Sequence, residues 1–198
     1  MAAAPAPQRF PDRVRLPLAF DPSPLAAEVA SIPAEDWTGQ PFTQNYEGGW
    51  DVVPLRSKAG ETHRLRLIYA DPTAATFVPT AWLEAMPAFQ SVLDRFECPL
   101  RSVRLMRLAP GSRILEHSDD LDAESGTLRL HVPVSTNPAV QFRLGGSPVA
   151  MTPGSVWYLR LSEPHSAAND GDTARVHLVL DAEMNRWLER MLRKGKAG

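Results

Sequence analysis

The sequence predicts a mainly β protein, a sandwich or barrel with a mixed region before it and an amphipathic helix after it. Three observations carry this expectation. Nineteen prolines and twelve glycines cut the 198 residues into short pieces, which favours strands over long helices. After Cys98 come seven short apolar or alternating segments, separated by turn signals such as "APGS", "LGGS" and "TPGS"; strands at this spacing build sandwiches and barrels. The stretch "AEMNRWLERMLRK" (182–194) is apolar on one face and basic at its end, where the helix dipole favours cations.

Taken in order, "MAAAPAPQRFPD" is small and Pro-rich without a basic head and apolar block. It reads as a flexible leader over residues 1–12 rather than a signal peptide. "VRLPLAF" (14–20) is a first strand. "DPSPLAAEVASI" (21–32) is a short helix capped by Asp21 or Ser23. "GWDVVPLR" (49–56) and "RLRLIYA" (64–70) are strand-like, and "TAWLEAMPAFQSVLDRF" (80–96) is helical with a break at Pro87. The seven later strands are "RSVRLMRLA", "SRILEH", "TLRLHVPV", "AVQFRL", "SPVAM", "SVWYLRL" and "ARVHLVL". With no linker or repeat in sight, residues 13–198 are expected to form one domain: a mixed region (13–98), a β core (99–181) and a closing helix (182–194).

Composition narrows the function classes. A net charge of −2 gives no reason to expect nucleic acid or an acidic membrane as partner. No apolar run approaches the roughly 18 residues that span a bilayer. The single Cys98 allows no intramolecular disulfide and fits a reducing compartment, so a cytoplasmic protein is expected.

The chemistry concentrates in "ILEHSDDLDAESGTLRLHVPV" (114–134). His117 and Asp119 close a strand, and positions i and i+2 of an extended chain point the same way. Two such groups can share one metal but cannot complete its site. His165, in "LSEPHSAAND", supplies a third ligand at the mouth of another strand. Two imidazoles and one carboxylate on one face of a metal are the set used by non-haem Fe(II) oxygenases, which keep the opposite face open. In "TLRLHVPV" the residues Leu128, Leu130, Val132 and Val134 share one face, Arg129 and His131 the other. "ARVHLVL" repeats the plan, with Val176, Leu178 and Leu180 opposite Arg175 and His177. Such a polar face either meets water, as is common in antiparallel sheets, or lines a barrel that holds a charged ligand, where Arg suits a carboxylate.

With these pieces in place, "LMRLAPGSRILEHSD", "LRLHVPVSTNPAVQF" and "GSVWYLRLSEPHSAANDGDTARVHLVLD" resemble the aspartyl/asparaginyl β-hydroxylase family of Fe(II)- and 2-oxoglutarate-dependent dioxygenases, related to the cis-proline hydroxylases. The resemblance covers roughly residues 100–187. It rests on the His-x-Asp, an Arg-x-His ten residues later, the distant His, and an Arg ten residues beyond that. It implies a double-stranded β-helix (jelly-roll) core with flanking N-terminal helices and a C-terminal helix. It implies iron on His117, Asp119 and His165, O2 as oxidant, and Arg175 on the distal carboxylate of 2-oxoglutarate with Arg129 and His131 assisting. His177 is expected to be a packed barrel histidine. Asp122 and Glu124 read as solvated or gating groups, and Trp157 and Tyr158 as core and rim. Met106 stands where some members have a small polar group near the co-substrate, which puts that contact in doubt. Asp119 is kept where some relatives lack the carboxylate.

The expected activity is hydroxylation of an unactivated C–H in a free amino acid or a small amino-acid-like molecule. Arg104, Arg107 and Arg160, on strands flanking the triad, are the expected arginines, one of which would clamp its carboxylate. A peptide or protein Asp/Asn substrate is the alternative within the class. Outside it stand a cupin-like metal protein, against which the absence of His-x-His counts, and a non-enzymatic jelly-roll binding module.

Overall fold

The structure is a computed structural model describing residues 9–198. Its elements run β1 (Arg13–Ala19), α1 (Pro22–Ala30), β2 (Thr38–Gly39), β3 (Tyr46–Glu47), β4 (Trp50–Lys58), α2 (Arg64–Leu67), β5 (Phe77–Pro79), α3 (Ala81–Glu84) and α4 (Pro87–Leu93). The second half runs β6 (Leu100–Leu108), β7 (Ser112–His117), β8 (Thr127–Ser135), β9 (Val140–Leu144), β10 (Ser147–Pro148), β11 (Ser155–Leu159), β12 (His165–Asn169), β13 (Arg175–Glu183), α5 (Arg186–Lys194) and β14 (Lys196–Ala197).

Two antiparallel sheets face each other as a jelly roll. The larger has the order β14-β1-β11-β8-β13-β6-β4-β2, with β5 also on β4; the smaller has the order β10-β9-β12-β7-β3. The N-terminal region therefore adds strands to the same large sheet as the later core. Helices cover the outer face of that sheet. Leu25 of α1, Phe89 and Val92 of α4, and Trp187 and Leu188 of α5 share one apolar cluster with Leu128, Leu130, Val132, Val134, Val176, Leu178 and Leu180. A second cluster joins the sheets to each other: Ile114, Phe142 and Leu144 from the smaller, Leu108, Trp157 and Leu159 from the larger. Both faces of β8 and β13 are thus covered. The alternation read from the sequence sorts their side chains, with apolar residues under the helices and Arg129, His131, Arg175 and His177 turned to the interior between the sheets.

Local signals place most element ends. The Asp21 carboxylate accepts from the Ser23 N–H at 2.9 Å and caps α1. Asn185 caps α5 by accepting from the Leu188 N–H at 2.9 Å, so the helix starts there and Ala182 and Glu183 still belong to β13. Pro87 divides α3 from α4 as expected. In the "TPGS" turn Gly154 has φ 77°, and a Cβ there would strike the Phe20 carbonyl oxygen; only glycine lets the turn close on the end of β1.

Three expectations are corrected. The stretch 64–70 is no strand: it forms the short helix α2, because both edge positions on β4 are already taken, by β2 opposite Asp51–Val52 and by β5 opposite Arg56–Lys58. Arg64 anchors that helix, donating to Thr38 Oγ1 at 2.7 Å and to the Trp37 carbonyl at 3.0 Å. Conversely "HSAAN" (165–169), weak in β propensity, becomes strand β12 because it is paired on both sides, by β7 and β9. Of the expected leader, residues 1–8 lie outside the described residues, while 9–12 are tied to the fold. Phe10 is in the core, its carbonyl accepts from Arg160, and the Arg9 N–H donates to Glu124 at 2.9 Å.

Leu178 lies at the centre of the covered sheet and is fully buried. Leu178→Ala is expected to lower the unfolding free energy by about 2–5 kcal/mol in chemical denaturation; a loss under about 1 kcal/mol would mean that the helices do not close over β13 as described.

Candidate active site

His117 ends β7 and His165 opens β12, and the two stand directly opposite each other in the antiparallel register. Their rings are 4.3 Å apart, centroid to centroid. The chain then turns, and the Asp119 N–H donates to the Leu161 carbonyl at 2.7 Å, which brings its carboxylate beside the two imidazoles. One ligand atom from each of His117, Asp119 and His165 lies within 4.8 Å of the others. Both rings are oriented by backbone. Nδ1 of His117 is 2.8 Å from the Leu115 carbonyl, and Nδ1 of His165 is 3.1 Å from the Glu163 carbonyl. A carbonyl only accepts, so each Nδ1 carries the proton and each Nε2 keeps its lone pair. Burial, followed by the neighbouring His117, holds the His165 pKa below the ordinary imidazole value, which favours the ligand form.

The three groups line a cavity of about 730 Å³ between the sheets. On the larger sheet its lining includes Arg104 and Met106 of β6, Arg129 and His131 of β8, and Arg175 and Asp181 of β13. Arg175 is the unusual one. It is only 3% exposed, yet among the described residues it pairs with no carboxylate. Its Nη2 donates to His177 Nδ1 at 3.0 Å, and its Nε has no partner. Burial lowers its pKa to about 10, so it stays charged at neutral pH. A buried cation without a counterion is costly, and the neighbouring His131 Nε2 is also unpartnered. The Met106 side chain lies on the same cavity face, so no small polar group stands on that part of β6.

The other two arginines pair with carboxylates. Arg129 Nη1 donates to Asp119 Oδ2 at 2.6 Å. Its Nε and Nη2 donate to Asp181 Oδ1 and Oδ2 at 2.6 and 3.2 Å. Arg104 Nη2 donates to Asp181 Oδ2 at 2.9 Å. Burial works to raise the Asp181 pKa, but the Arg129 and Arg104 guanidinium groups outweigh it and hold the carboxyl below its usual range.

The structure therefore brings His117, Asp119, His165, Arg129, His131 and Arg175 to one cavity and leaves Arg107 and Arg160 out of its lining. Strand parity explains why. Arg107 falls on the opposite phase of β6 from Ser102, Arg104 and Met106, where it pairs with Asp51 at 2.9 Å and lies over the Trp37 ring at 4.2 Å. Arg160 shares the phase of Tyr158, whose side chain belongs to the helix-side core, and bonds the Phe10 carbonyl. His177 is buried beneath Arg175, as expected of a packed histidine. Trp157 and Tyr158 are both buried, so neither is a rim residue. Asp122 accepts from the Ser125 N–H, and Glu124 from the Arg9 N–H. The sequence reading missed Asp181, although its alternation with Arg175, His177 and Val179 places it on the same face.

A family model described as aspartyl/asparaginyl beta-hydroxylase matches residues 25–185. The chain belongs to the aspartyl/asparaginyl β-hydroxylase family. Among curated members it is 27% identical over 177 residues to L-proline cis-4-hydroxylase of Rhizobium meliloti (strain 1021), covering 88% of this chain and 61% of that one. It is 24% identical over 166 residues to L-proline cis-3-hydroxylase 2 of a Streptomyces species, covering 82% and 57%. The chain thus spans about three fifths of the length of the curated relatives it matches. Among solved structures, the non-heme alpha ketoglutarate dependent carbocyclase SnoK from nogalamycin biosynthesis superposes with a TM-score of 0.56 at 14% identity, over 88% of this chain and 81% of that one. That likeness is one of fold. Among the described residues no helix of this family member is long and apolar enough to cross a membrane.

His131 and His177 generate a pH dependence. Burial, and then the charge of Arg175, holds both pKa values well below the ordinary one. The folded state resists protons that the unfolded chain binds below about pH 6.5, so stability is full above that value and falls below it. The metal-free protein is expected to lose denaturant resistance between about pH 7 and pH 5, and His177→Asn should flatten the decline; an identical pH profile in the variant would contradict the assignment.

Proposed function

We propose that this protein is an Fe(II)- and 2-oxoglutarate-dependent hydroxylase acting on a free amino acid or a small amino-acid-like molecule. One observation carries the reading. An open His–Asp–His set shares its cavity with Arg175, a buried guanidinium lacking any carboxylate partner among the described residues. The donor set fits iron: two neutral imidazole nitrogens and one carboxylate, with ligand atoms on one side only. Arg175 fits a carboxylate, since such a ligand would satisfy both its charge and its free Nε–H.

In this reading His117, Asp119 and His165 would hold the iron, and Arg175 the distal carboxylate of 2-oxoglutarate, with His131 beside it. Iron and 2-oxoglutarate, with O2, supply the oxidising power to break an unactivated C–H bond. The chain's own part is to orient and exclude. Leu115 and Glu163 fix the two rings, the jelly roll keeps the cavity floor out of water, and His131 and His177 stay neutral so that Arg175 is the charge met by the co-substrate. Arg129 is assigned to Asp119 rather than to the co-substrate, because its donors are already engaged.

The substrate class draws on the relatives, whose names specify L-proline. With Arg107 and Arg160 outside the cavity, Arg104 becomes the candidate for a substrate carboxylate: it lines the cavity with Nε unpartnered. The mouth carries Phe42, Leu65 and Tyr69, all half-exposed, an apolar rim suited to the carbon part of such a molecule. The single Cys98 is buried and its thiol pKa is pushed up to about 12; an unreactive thiol with no disulfide partner suits the cytoplasm.

Three outcomes are expected. Purified protein with Fe(II) and 2-oxoglutarate should release succinate when one of the free amino acids is added, with a product 16 mass units heavier by mass spectrometry (one oxygen atom). Stimulation by peptides or folded proteins alone would overturn the small-molecule choice and leave the hydroxylase. His117→Ala and His165→Ala should abolish that release. Arg175→Leu should raise the 2-oxoglutarate concentration for half-maximal rate roughly 10- to 150-fold, the equivalent of one charge-assisted pair; an unchanged requirement would remove Arg175 from the co-substrate site.

A further inference from the structure

Asp119 is the weakest-tethered of the three candidate ligands. The two histidines sit on paired strands and are oriented by carbonyls, whereas the Asp119 carboxylate leaves a turn with its side chain 30% exposed. Its one side-chain hydrogen bond is to Arg129. Arg129 in turn is held from beneath. Asp181 stands opposite it in the β8–β13 register and takes two of its nitrogens, Nε and Nη2, at 2.6 and 3.2 Å. Only Nη1 is left, and it points at Asp119 Oδ2. Asp181 is itself fixed from the other side by Arg104 on β6, and its side chain is only 4% exposed.

We infer that Asp181 is a positioning residue of the metal centre: by gripping Arg129 it makes Arg129 occupy one oxygen of Asp119, so the carboxylate offers the metal a single oxygen in a fixed direction. This rests on the metal-centre reading above. Charge balance asks for a second carboxylate, because Asp181 alone leaves one of its two arginine partners uncompensated, and Arg129 finds it in Asp119. What Asp181 adds is direction, since it takes two nitrogens of Arg129 and leaves Nη1 for Asp119. A ligand held by an outer hydrogen-bond partner is the recurrent way a protein tunes a metal site. Here the partner of the partner sits on the rigid sheet, and the chain Asp181–Arg129–Asp119 transmits that rigidity to a turn.

The test is a Co(II) titration of the metal-free full chain, followed by its visible absorption, without co-substrate or turnover. Asp181→Asn should weaken Co(II) binding about 10- to 100-fold and change the band pattern, because both Asp119 oxygens become available. Loss of Asp181 also strands Arg104, which has no other carboxylate partner among the described residues, so the double variant Arg104→Met with Asp181→Asn is measured beside it; it should regain folding stability and still bind Co(II) weakly. Arg129→Gln should weaken binding by a similar factor, and adding Asp181→Asn to it should cost nothing more. Wild-type affinity in the Arg104→Met, Asp181→Asn protein, or additive losses in Arg129→Gln with Asp181→Asn, would overturn the inference. His117→Ala separates it from the reading beneath. If the wild type binds no Co(II) that His117→Ala abolishes, the metal centre itself fails. If it does bind and Asp181→Asn matches it, only the role of Asp181 fails.

Discussion

A strand covered on both faces has no water to solvate its charges, so every charge it carries must find a partner within the protein or in a ligand. β8 and β13 are such strands. Helices seal one face, the smaller sheet roofs the other, and the inner face of β8, β13 and the neighbouring β6 carries three arginines with two histidines. Asp181 and Asp119 answer Arg104 and Arg129. Nothing in the described chain answers Arg175. The cavity, its polarity and its proposed ligands all follow from that imbalance.

The same constraint divides labour within the cavity. The histidines facing each other across β7 and β12 depend on register and on backbone carbonyls, and thus on the sheet alone. Asp119 depends on an arginine, and that arginine on a second carboxylate. Arg175 depends on His177, which accepts its Nη2 proton because burial keeps the imidazole neutral. Each group that would touch a metal or co-substrate is held by one that does not, and the outermost holders lie on the best-packed strands.

Much of this was legible in the sequence, for a definite reason. Period-two alternation in "TLRLHVPV" and "ARVHLVL" separates the two faces without knowledge of the fold, and the resemblance supplied the order of the ligands. What escaped was whatever tertiary pairing decides. Arg107 and Arg160 stand on segments flanking the triad, but strand phase turns them away from the cavity. "RLRLIYA" alternates like a strand, yet no free edge on β4 was left for it. "HSAAN" has little strand character and is made a strand by neighbours on both sides. Asp181 looked like the end of a strand rather than part of a site, because its partners lie 52 and 77 residues away.

The central claim is that one cavity holds iron on His117, Asp119 and His165 and 2-oxoglutarate against Arg175. Anaerobic addition of Fe(II) and 2-oxoglutarate to the metal-free protein tests it most directly, through the weak visible metal-to-ligand charge-transfer absorption of that chelate. The account predicts the band in the wild-type protein, its absence in His165→Ala, and its appearance in Arg175→Leu only at much higher 2-oxoglutarate. No band in the wild type, or an undiminished band in His165→Ala, would contradict it.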